Sequence, residues 1–264
     1  MPRPKIRPSR PSRSFRGKPQ HSRRGLESDR ILLFGLHAVE AALANPNRQI
    51  WRLLATENAA QRLDAPLRAR GIAVEPALPR QLDRMLGSDA VHQGVVLEAA
   101  PLPPVELEDV DPNGLLIVLD QVTDPQNVGA VLRSAAAFGA SGLVLPERHS
   151  PPFSGALAKA ASGALDIVPV ILIGNLARTL TELGERGFFR VGLAEEASEP
   201  LETAALTLPL ALVLGAEGKG LRQLTRSTCD LICRIATKDK LVSLNVANAA
   251  AIALHWASTT ARSR

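Results

Sequence analysis

Apolar and polar residues alternate along the chain in a pattern that predicts strands followed by helices. Residues 115–119 form an unbroken apolar run, which is typical of a strand buried on both faces of a parallel sheet. A helical periodicity follows from about Gln126 to Phe138 and stops at Gly139. The alternation continues with strands at 142–145, 167–173, 188–193, 208–214 and 231–236 and helices at 156–161, 176–185 and 245–260. We therefore predict an α/β fold with a mostly parallel sheet for residues 114–264.

The segment before this region has the pattern of a smaller α/β unit. It predicts helices at 34–43, 58–70 and 80–86 and strands at 50–55, 72–75 and 94–97. Residues 100–113 contain several prolines and an acidic stretch, which is the composition of a linker. The folded part of the chain is therefore predicted to consist of a domain at 31–99, a linker at 100–113 and a domain at 114–264.

The net charge of +5 is concentrated at the N-terminus. Residues 1–30 contain ten Lys and Arg against two acidic residues, a net charge of +8, so residues 31–264 carry −3. This basic segment also holds five prolines and few apolar side chains, so we predict a disordered tail. Phosphate contact with a nucleic acid suits such a tail. A solubilising extension and an organelle transit peptide are the alternatives, and the prolines disfavour the amphipathic helix of a transit peptide.

Several classes of protein are excluded by what the sequence lacks. No apolar run reaches the ~20 residues of a membrane span, and there is no secretory signal. The two cysteines, Cys229 and Cys233, are too few for a disulfide framework and have no histidine at zinc-ligand spacing. We therefore expect no membrane partner, no metal, and buried thiols in a reducing compartment, the cytoplasm.

Polar segments follow three of the predicted strands, at 120–129, 214–221 and 235–245. Ligands bind at the carboxyl ends of strands in open α/β sheets, so these are the candidate functional segments. Each segment also has a purely local interpretation. Asp124 and Pro125 suit a helix start, the three glycines of the second segment suit a turn, and Ser243 and Asn245 suit a helix cap.

Two familiar nucleotide-binding motifs do not match the glycine-rich second segment. It lacks the Gly-Lys-Ser/Thr of a P-loop and the Gly-x-Gly-x-x-Gly of a dinucleotide-binding fold. None of the five histidines follows a strand that carries one of the three segments, so a Ser-His-Asp hydrolase is not indicated.

Taken together, the three segments resemble the motifs of the SpoU/TrmH methyltransferases, a branch of the SPOUT superfamily. The resemblance rests on Asn127 followed by Arg133, on Leu-Gly-Ala-Glu-Gly-Lys-Gly-Leu at 214–221, and on Ser-Leu-Asn-Val at 243–246. It covers about residues 115–260. Residues 31–98, with Gly-Leu-His-Ala-Val at 35–39 and His-Gln-Gly-Val at 92–95, resemble the small RNA-binding domain of that family. Within the family, the sequence is most similar to the group that acts on guanosine of 23S rRNA.

The resemblance implies a fold, a reaction and a set of partners. The fold is a C-terminal SPOUT α/β domain with a deep trefoil knot, which forms an obligate homodimer and follows the small α/β RNA-binding domain. The reaction transfers a methyl group from S-adenosyl-L-methionine to a ribose 2'-hydroxyl of structured RNA. The N-terminal domain and the basic tail favour a guanosine of 23S rRNA. A tRNA ribose methyltransferase and a non-catalytic RNA-binding or ribosome-assembly protein are the alternatives.

Roles for individual residues follow from the same resemblance. The catalytic positions are Arg133, Asn127, Glu217, Ser243 and Asn245. The S-adenosylmethionine pocket is formed by Leu214, Gly215, Gly220, Ile235, Thr237 and Leu244. Arg133 is either the base that accepts the hydroxyl proton or a clamp on the adjacent phosphate, and a guanidinium, which stays protonated in proteins, fits the clamp better.

The third segment departs from the family pattern. Ile235-Ala236-Thr237 replaces the usual Ile-Pro-Met, Asp239 stands where the family has a glycine, and Ala247 stands where serine is frequent. Without the proline and the glycine, the loop around the adenine is expected to be less rigid.

Contact with RNA is expected through phosphates and shape rather than through base stacking. The chain has no Tyr, six Phe and two Trp, too few for an aromatic platform. The candidate cations, besides the tail, are Arg52, Arg62, Arg68 and Arg70. A solvated helix face explains the last three equally well.

Overall fold

A computed structural model describes residues 30–263 of the 264-residue chain, except Ser88, Pro104, His149 and residues 153–154 and 239–242. The predicted basic tail lies outside the described residues apart from Arg30, and so does Asp239. No helix in the described part of the chain is long and apolar enough to cross a membrane.

Residues 31–99 build a sheet that is flanked by helices. Its elements in chain order are β1 (Ile31–Phe34), α1 (Leu36–Ala44), β2 (Ile50–Ala55), α2 (Glu57–Arg62), α3 (Asp64–Arg70), β3 (Val74–Pro76), α4 (Pro79–Leu86) and β4 (Val95–Ala99). The strands lie in the order β1-β4-β2-β3. Strand β4 is antiparallel to β1 and β2, and β3 is parallel to β2.

Two predicted helix boundaries in this region are wrong. The single helix predicted for residues 58–70 is two helices that meet at Leu63. Pro66 explains the break, because it has no N–H to donate to the carbonyl of Arg62 and its ring crowds that carbonyl. The helix predicted from residue 34 starts only after β1 has ended, because Gly35 turns the chain with a φ of 89°.

Residues 115–263 build a second, larger sheet with flanking helices, and two short strands, 207–208 and 262–263, that pair separately. The elements of this region are β5 (Leu115–Asp120), α5 (Pro125–Ala137), β6 (Gly142–Pro146), α6 (Gly155–Ala160), β7 (Val170–Ile173), α7 (Leu176–Glu185), β8 (Phe189–Leu193), β9 (Glu199–Pro200), β10 (Thr207–Leu208), β11 (Leu210–Gly215), α8 (Gln223–Thr228), β12 (Leu231–Arg234), α9 (Val246–Thr260) and β13 (Arg262–Ser263). Seven strands lie in the order β7-β6-β5-β11-β8-β12-β9, and each described pair is parallel. The predicted α/β fold with a parallel sheet is confirmed.

Alternate residues of the central strands contribute to two separate cores. Leu115, Ile117 and Leu119 of β5 pack on one face with residues of α5, α6 and α9. Leu116 and Val118 pack on the other face with residues of α7. Since the side chains of a strand alternate between the faces, a sheet covered on both sides requires an unbroken apolar run.

The order of the strands reverses at β5. Strands β6 and β7 lie on one side of β5, and β11, β8, β12 and β9 lie on the other. Such a reversal leaves a crevice at the carboxyl ends of the strands, where ligands bind in open α/β sheets.

A buried ion pair joins the two parts of the chain. Arg48, between α1 and β2, donates from Nε to Oδ1 of Asp166 at 2.8 Å, and their side chains are 1% and 3% exposed. Asn45 donates from Nδ2 to the same oxygen at 3.0 Å. A Cβ on Gly155 of α6 would lie 2.0 Å from the carbonyl oxygen of Leu32 in β1, so these backbones are in close contact. The small sheet is therefore fixed against α6.

Candidate active site

The carboxyl ends of β8, β11 and β12 open into a cleft of about 440 Å³. Its walls come from residues 193–196, 214–221 and 234–237 and from the start of α9. The second and third sequence segments therefore meet in one place. All six residues expected to hold the cofactor line this cleft: Leu214, Gly215, Gly220, Ile235, Thr237 and Leu244.

One wall of the cleft is a tight turn at residues 216–221, here called the glycine loop. The N–H of Gly220 donates to the carbonyl of Ala216 at 2.8 Å and closes the turn. A Cβ on Gly215 would lie 2.1 Å from the carbonyl carbon of Gly220, so the loop folds directly onto a bare Cα. Gly218 and Gly220 have φ angles of 75° and 64°, which favour glycine. The glycines that the sequence placed in a turn thus set the shape of the cleft wall.

The lining of the cleft fits S-adenosylmethionine. Apolar side chains suit the flat adenine, and these are Leu214, Leu221, Ile235, Leu244 and Val246. Carboxylates suit the positive sulfonium and ammonium groups, and these are Glu195, Glu196 and Glu217. The volume is also in the range of small-molecule sites, about 300–1,000 Å³.

Two asparagines connect the first sequence segment to the third. Asn245 donates from Nδ2 to Oδ1 of Asn127 at 3.0 Å. The Oδ1 of Asn245 accepts the N–H of Ala247 at 2.8 Å and caps α9. Asn127 lies in the first turn of α5 and is half-buried. The cap interpretation of Asn245 is thus correct, and the same side chain also orients Asn127 beside the cleft residues Leu244 and Val246.

The remaining predicted catalytic residues divide into two groups. Glu217 and Ser243 line the cleft and are exposed. Arg133 is exposed in the middle of α5 and is not part of the cleft lining. Within the part of the chain that the structure describes, no hydrogen bond or ion pair of the Arg133 side chain is present. Its guanidinium is therefore available to a ligand from outside the protomer.

Sequence reasoning included Asp120 only as the first residue of a candidate segment, without a role, and it missed Arg222 and residues 194–196. Asp120 ends β5 with a fully buried side chain, and it accepts the backbone N–H of Arg222 at 3.1 Å and its Nε at 2.7 Å. A charged residue at the end of an unbroken apolar run was the available signal. The stretch Ala194-Glu195-Glu196 also lines the cleft, and its position after a predicted strand would have indicated it.

Glu196 shows how this stretch is held. A backbone hydrogen bond at Glu196 and the Arg226 guanidinium, to which its carboxylate is bonded, keep the pKa of Glu196 below its ordinary value. Its carboxylate is therefore ionised near neutral pH, and the paired Arg226 balances its charge.

The pKa values of the two thiols are raised above the ordinary value for cysteine. Burial raises the pKa of Cys229 to about 12 and that of Cys233 to about 11, so both stay protonated near neutral pH. Among the residues that the structure describes, no group of three or more potential metal ligands occurs.

Most of the arginines considered for RNA contact are engaged within the chain. Arg52 donates from Nε to Glu98 at 2.6 Å, Arg68 pairs with Asp64, and Arg70 donates to main-chain carbonyls. Arg62 is exposed, and it has no such partner among the described residues. The described surface of the small sheet therefore offers fewer free cations than the sequence suggests.

The sequence model of the SpoU rRNA Methylase family matches residues 114–255, more than half of the chain. The chain belongs to the SpoU rRNA methylase family. A second model, for the substrate-binding region of RNA 2'-O ribose methyltransferases, matches residues 32–105. The two matches cover the small sheet and the large sheet in turn.

Relatives of this SpoU family member resemble it over most of their length. A 23S rRNA (guanosine-2'-O-)-methyltransferase RlmB from Ralstonia nicotianae is 42% identical, over 84% of this chain and 93% of that protein. The enzyme of the same name from Photobacterium profundum is 38% identical, over 84% and 95%. A crystal structure of an AdoMet-bound rRNA methyltransferase from Sinorhizobium meliloti is 25% identical, covers 88% of each chain and superposes with a TM-score of 0.74.

Proposed function

We propose that the protein transfers a methyl group from S-adenosylmethionine to the 2'-hydroxyl of a guanosine in 23S rRNA. The observation that carries the proposal is the convergence of residues 214–221 with Ile235, Thr237, Ser243 and Leu244 on one cleft at the carboxyl ends of three strands. The likeness to 23S rRNA (guanosine-2'-O-)-methyltransferases over 84% of the chain supports the choice of substrate.

The proposed roles of the residues follow from their positions. When bound in the cleft, S-adenosylmethionine would supply an electrophilic methyl group, its sulfur would leave as the thioether of S-adenosylhomocysteine, and the 2'-hydroxyl proton would pass to solvent. The glycine loop and residues Ile235, Thr237 and Leu244 hold the cofactor. Arg133, whose guanidinium has no partner among the described residues, binds the phosphate next to the target ribose and so aligns the 2'-hydroxyl for in-line attack. The bonded pair Asn127 and Asn245, together with Glu217 and Ser243, orients the ribose.

We also propose the finer architecture of the family for this chain. Residues 1–30 are a basic tail, 31–99 the RNA substrate-binding domain, 100–113 a linker and 114–264 the SPOUT domain with a deep trefoil knot. Strand β11 lies between β5 and β8, and α9 packs against α5. Both features are consistent with a knotted chain. The site of action is the cytoplasm, which contains the rRNA.

A homodimer is part of the proposal. Asn248, Ile252 and His255 are exposed at helical spacing on α9, and Ile252 is 41% exposed. The ring of His255 contacts Phe138 at the end of α5, so the exposed faces of α5 and α9 are continuous. We expect the native mass of a dimer in light scattering, and a monomer for Ile252→Glu. Leu224→Glu, at an exposed leucine on the other face of the sheet, is the matched control and stays dimeric.

Methyl transfer from labelled S-adenosylmethionine tests the function. The acceptors are 23S rRNA that lacks the modification and, separately, unmodified tRNA, with digestion to nucleosides. We expect label in 2'-O-methylguanosine from rRNA, and a loss of roughly 100-fold in rate for Arg133→Ala with cofactor binding retained. Arg178→Ala, an exposed arginine on α7, is the control. Label in tRNA alone would establish the tRNA alternative, and cofactor and RNA binding without transfer would establish the non-catalytic one.

A further inference from the structure

Helix α8 is attached to the sheet at both ends by an arginine–aspartate pair. At its start, Arg222 donates its backbone N–H and its Nε to the carboxylate of Asp120 at 3.1 and 2.7 Å. Just beyond its end, Asp230 accepts the backbone N–H and the Nε of Arg190 at 2.8 and 2.9 Å. Both pairs therefore use the backbone N–H and Nε of one arginine on one carboxylate, and Arg190 also donates from Nη2 to Oδ1 of Asp230 at 2.6 Å.

The two pairs differ in burial and in their place on the sheet. The side chain of Asp120 is 0% exposed, whereas that of Asp230 is 34% exposed. Asp120 is the last residue of β5, at the carboxyl edge where the cleft opens. Arg190 lies near the start of β8 and Asp230 precedes β12, so their pair lies at the amino edge.

Asp120 contacts the residues that flank the glycine loop on both sides. Its backbone is in register with Gly215 on β11, the residue from which the loop leaves. Its side chain holds Arg222, the first residue after the loop. Each of the six residues of the loop lines the cleft. Asp120 therefore fixes both ends of the wall that faces the cofactor, one through its backbone and the other through its buried carboxylate.

The same residue also connects the loop to the first sequence segment. Gln121, which follows Asp120, has a φ of 61° and turns the chain toward α5. Asn127 lies in the first turn of that helix. A buried carboxylate is stable only when donors satisfy it, and the donors of Asp120 both come from Arg222. The position of the glycine loop is thus coupled to one ion pair.

We propose that Asp120 and Arg222 are positioning residues for S-adenosylmethionine, which fix the glycine loop in its binding conformation. This inference rests on the proposed function of the cleft. Because the pair acts through the loop, its loss weakens cofactor binding and leaves the rate at saturating cofactor largely intact.

The test compares Asp120→Asn, Arg222→Gln and Arg222→Lys with the matched controls Asp230→Asn and Arg190→Gln. Calorimetry gives Kd for S-adenosylmethionine, and initial rates give its KM and kcat. We expect Asp120→Asn and Arg222→Gln to raise Kd and KM about tenfold, with kcat changed less than about threefold. Arg222→Lys, which keeps the charge, has a smaller effect. The controls lower the unfolding midpoint and leave Kd unchanged.

Amide hydrogen exchange at the glycine loop supplies a readout that needs no cofactor. Exchange at Gly220, whose N–H closes the turn, is faster in Asp120→Asn than in the wild type and unchanged in Asp230→Asn. Unchanged exchange and unchanged Kd in Asp120→Asn would overturn the inference, and so would an equal rise of Kd in the controls. A wild-type protein that binds no S-adenosylmethionine would refute the proposed function instead, while the exchange result would still decide whether Asp120 holds the loop.

Discussion

The two ends of α8 are held by hydrogen bonds of the same kind, yet they lie in very different surroundings. At the carboxyl edge of the sheet, the pair of Asp120 and Arg222 adjoins the glycine loop, which lines the cleft. At the amino edge, neither Arg190 nor Asp230 lines the cleft; their pair fastens the end of α8 to β8, and Arg190 also donates to the carbonyl of Leu180 in α7 at 3.0 Å. The local geometry of an ion pair therefore does not reveal its role. Its position on a parallel sheet does, because the carboxyl edge binds ligands and the amino edge provides stability.

Removal of the arginine from each pair should give the largest difference between the two pairs, measured as the loss in the free energy of unfolding. Arg222→Ala leaves the fully buried Asp120 with a backbone N–H as its remaining donor, so we expect a loss of about 3–4 kcal/mol in the free energy of unfolding. Arg190→Ala leaves Asp230 in contact with water, and the expected loss is about 1–2 kcal/mol. Urea unfolding at pH 7 measures both. Equal losses of stability would show that the burial of Asp120 does not increase the cost of removing its arginine.

Two asparagine caps offer a second comparison. Asn245 caps α9 and also bonds to Asn127, whereas Asn175 caps α7 by accepting the N–H of Arg178 at 3.1 Å. Replacement of either by alanine should cost about 1 kcal/mol of stability, because each removes one helix cap. Asn245→Ala should also slow methyl transfer by about 30-fold, since Asn127 loses its partner. Stability and rate are measured on both variants, and an equal loss of rate would refute the role of Asn245.

The smallest expected effect is on the rate at which the thiol of Cys229 is labelled. Charged residues of both ion pairs act on this thiol. The pKa of this thiol is raised to about 12, chiefly by burial; the charge of Arg190 lowers it, and the charges of Asp230 and Asp120 contribute to the rise. At pH 8 the thiolate is therefore scarce, and labelling by a disulfide reagent should be at least about 100-fold slower than in urea. Asp230→Asn removes a charge that raises the pKa, so it should speed labelling by a few-fold. Rapid labelling of the native wild type would contradict the burial of the thiol.

The sequence was sufficient for much of the fold, because both faces of the large sheet are covered. Residues 115–119 form an unbroken apolar run because helices pack against both faces of the sheet. The helical period after Gln126 arises because α5 packs against one of these faces. The break at Leu63 was missed because the apolar period continues through it, although Pro66 was visible. A stricter use of the proline would have divided this helix correctly.

The candidate site could be predicted from the sequence less completely than the fold. The glycine loop and the cap at Asn245 carry local signals, so their segments were identified from residue type and from the strands before them. Arg222 lies 102 positions after Asp120, and their pairing depends on the insertion of β11 beside β5. The order of strands in a sheet is a property of long-range packing, which periodicity does not reveal.

Cofactor binding by two glycine variants tests the central claim, that the cleft at the carboxyl edge holds S-adenosylmethionine. A Cβ on Gly215 would lie 2.1 Å from Gly220 and must displace the glycine loop, whereas a Cβ on Gly174 meets no atom within 4 Å. Calorimetry should show tight binding by the wild type and by Gly174→Ala, and a loss of affinity of at least about 100-fold for Gly215→Ala. Wild-type affinity in a folded Gly215→Ala protein would contradict the account and place the cofactor elsewhere.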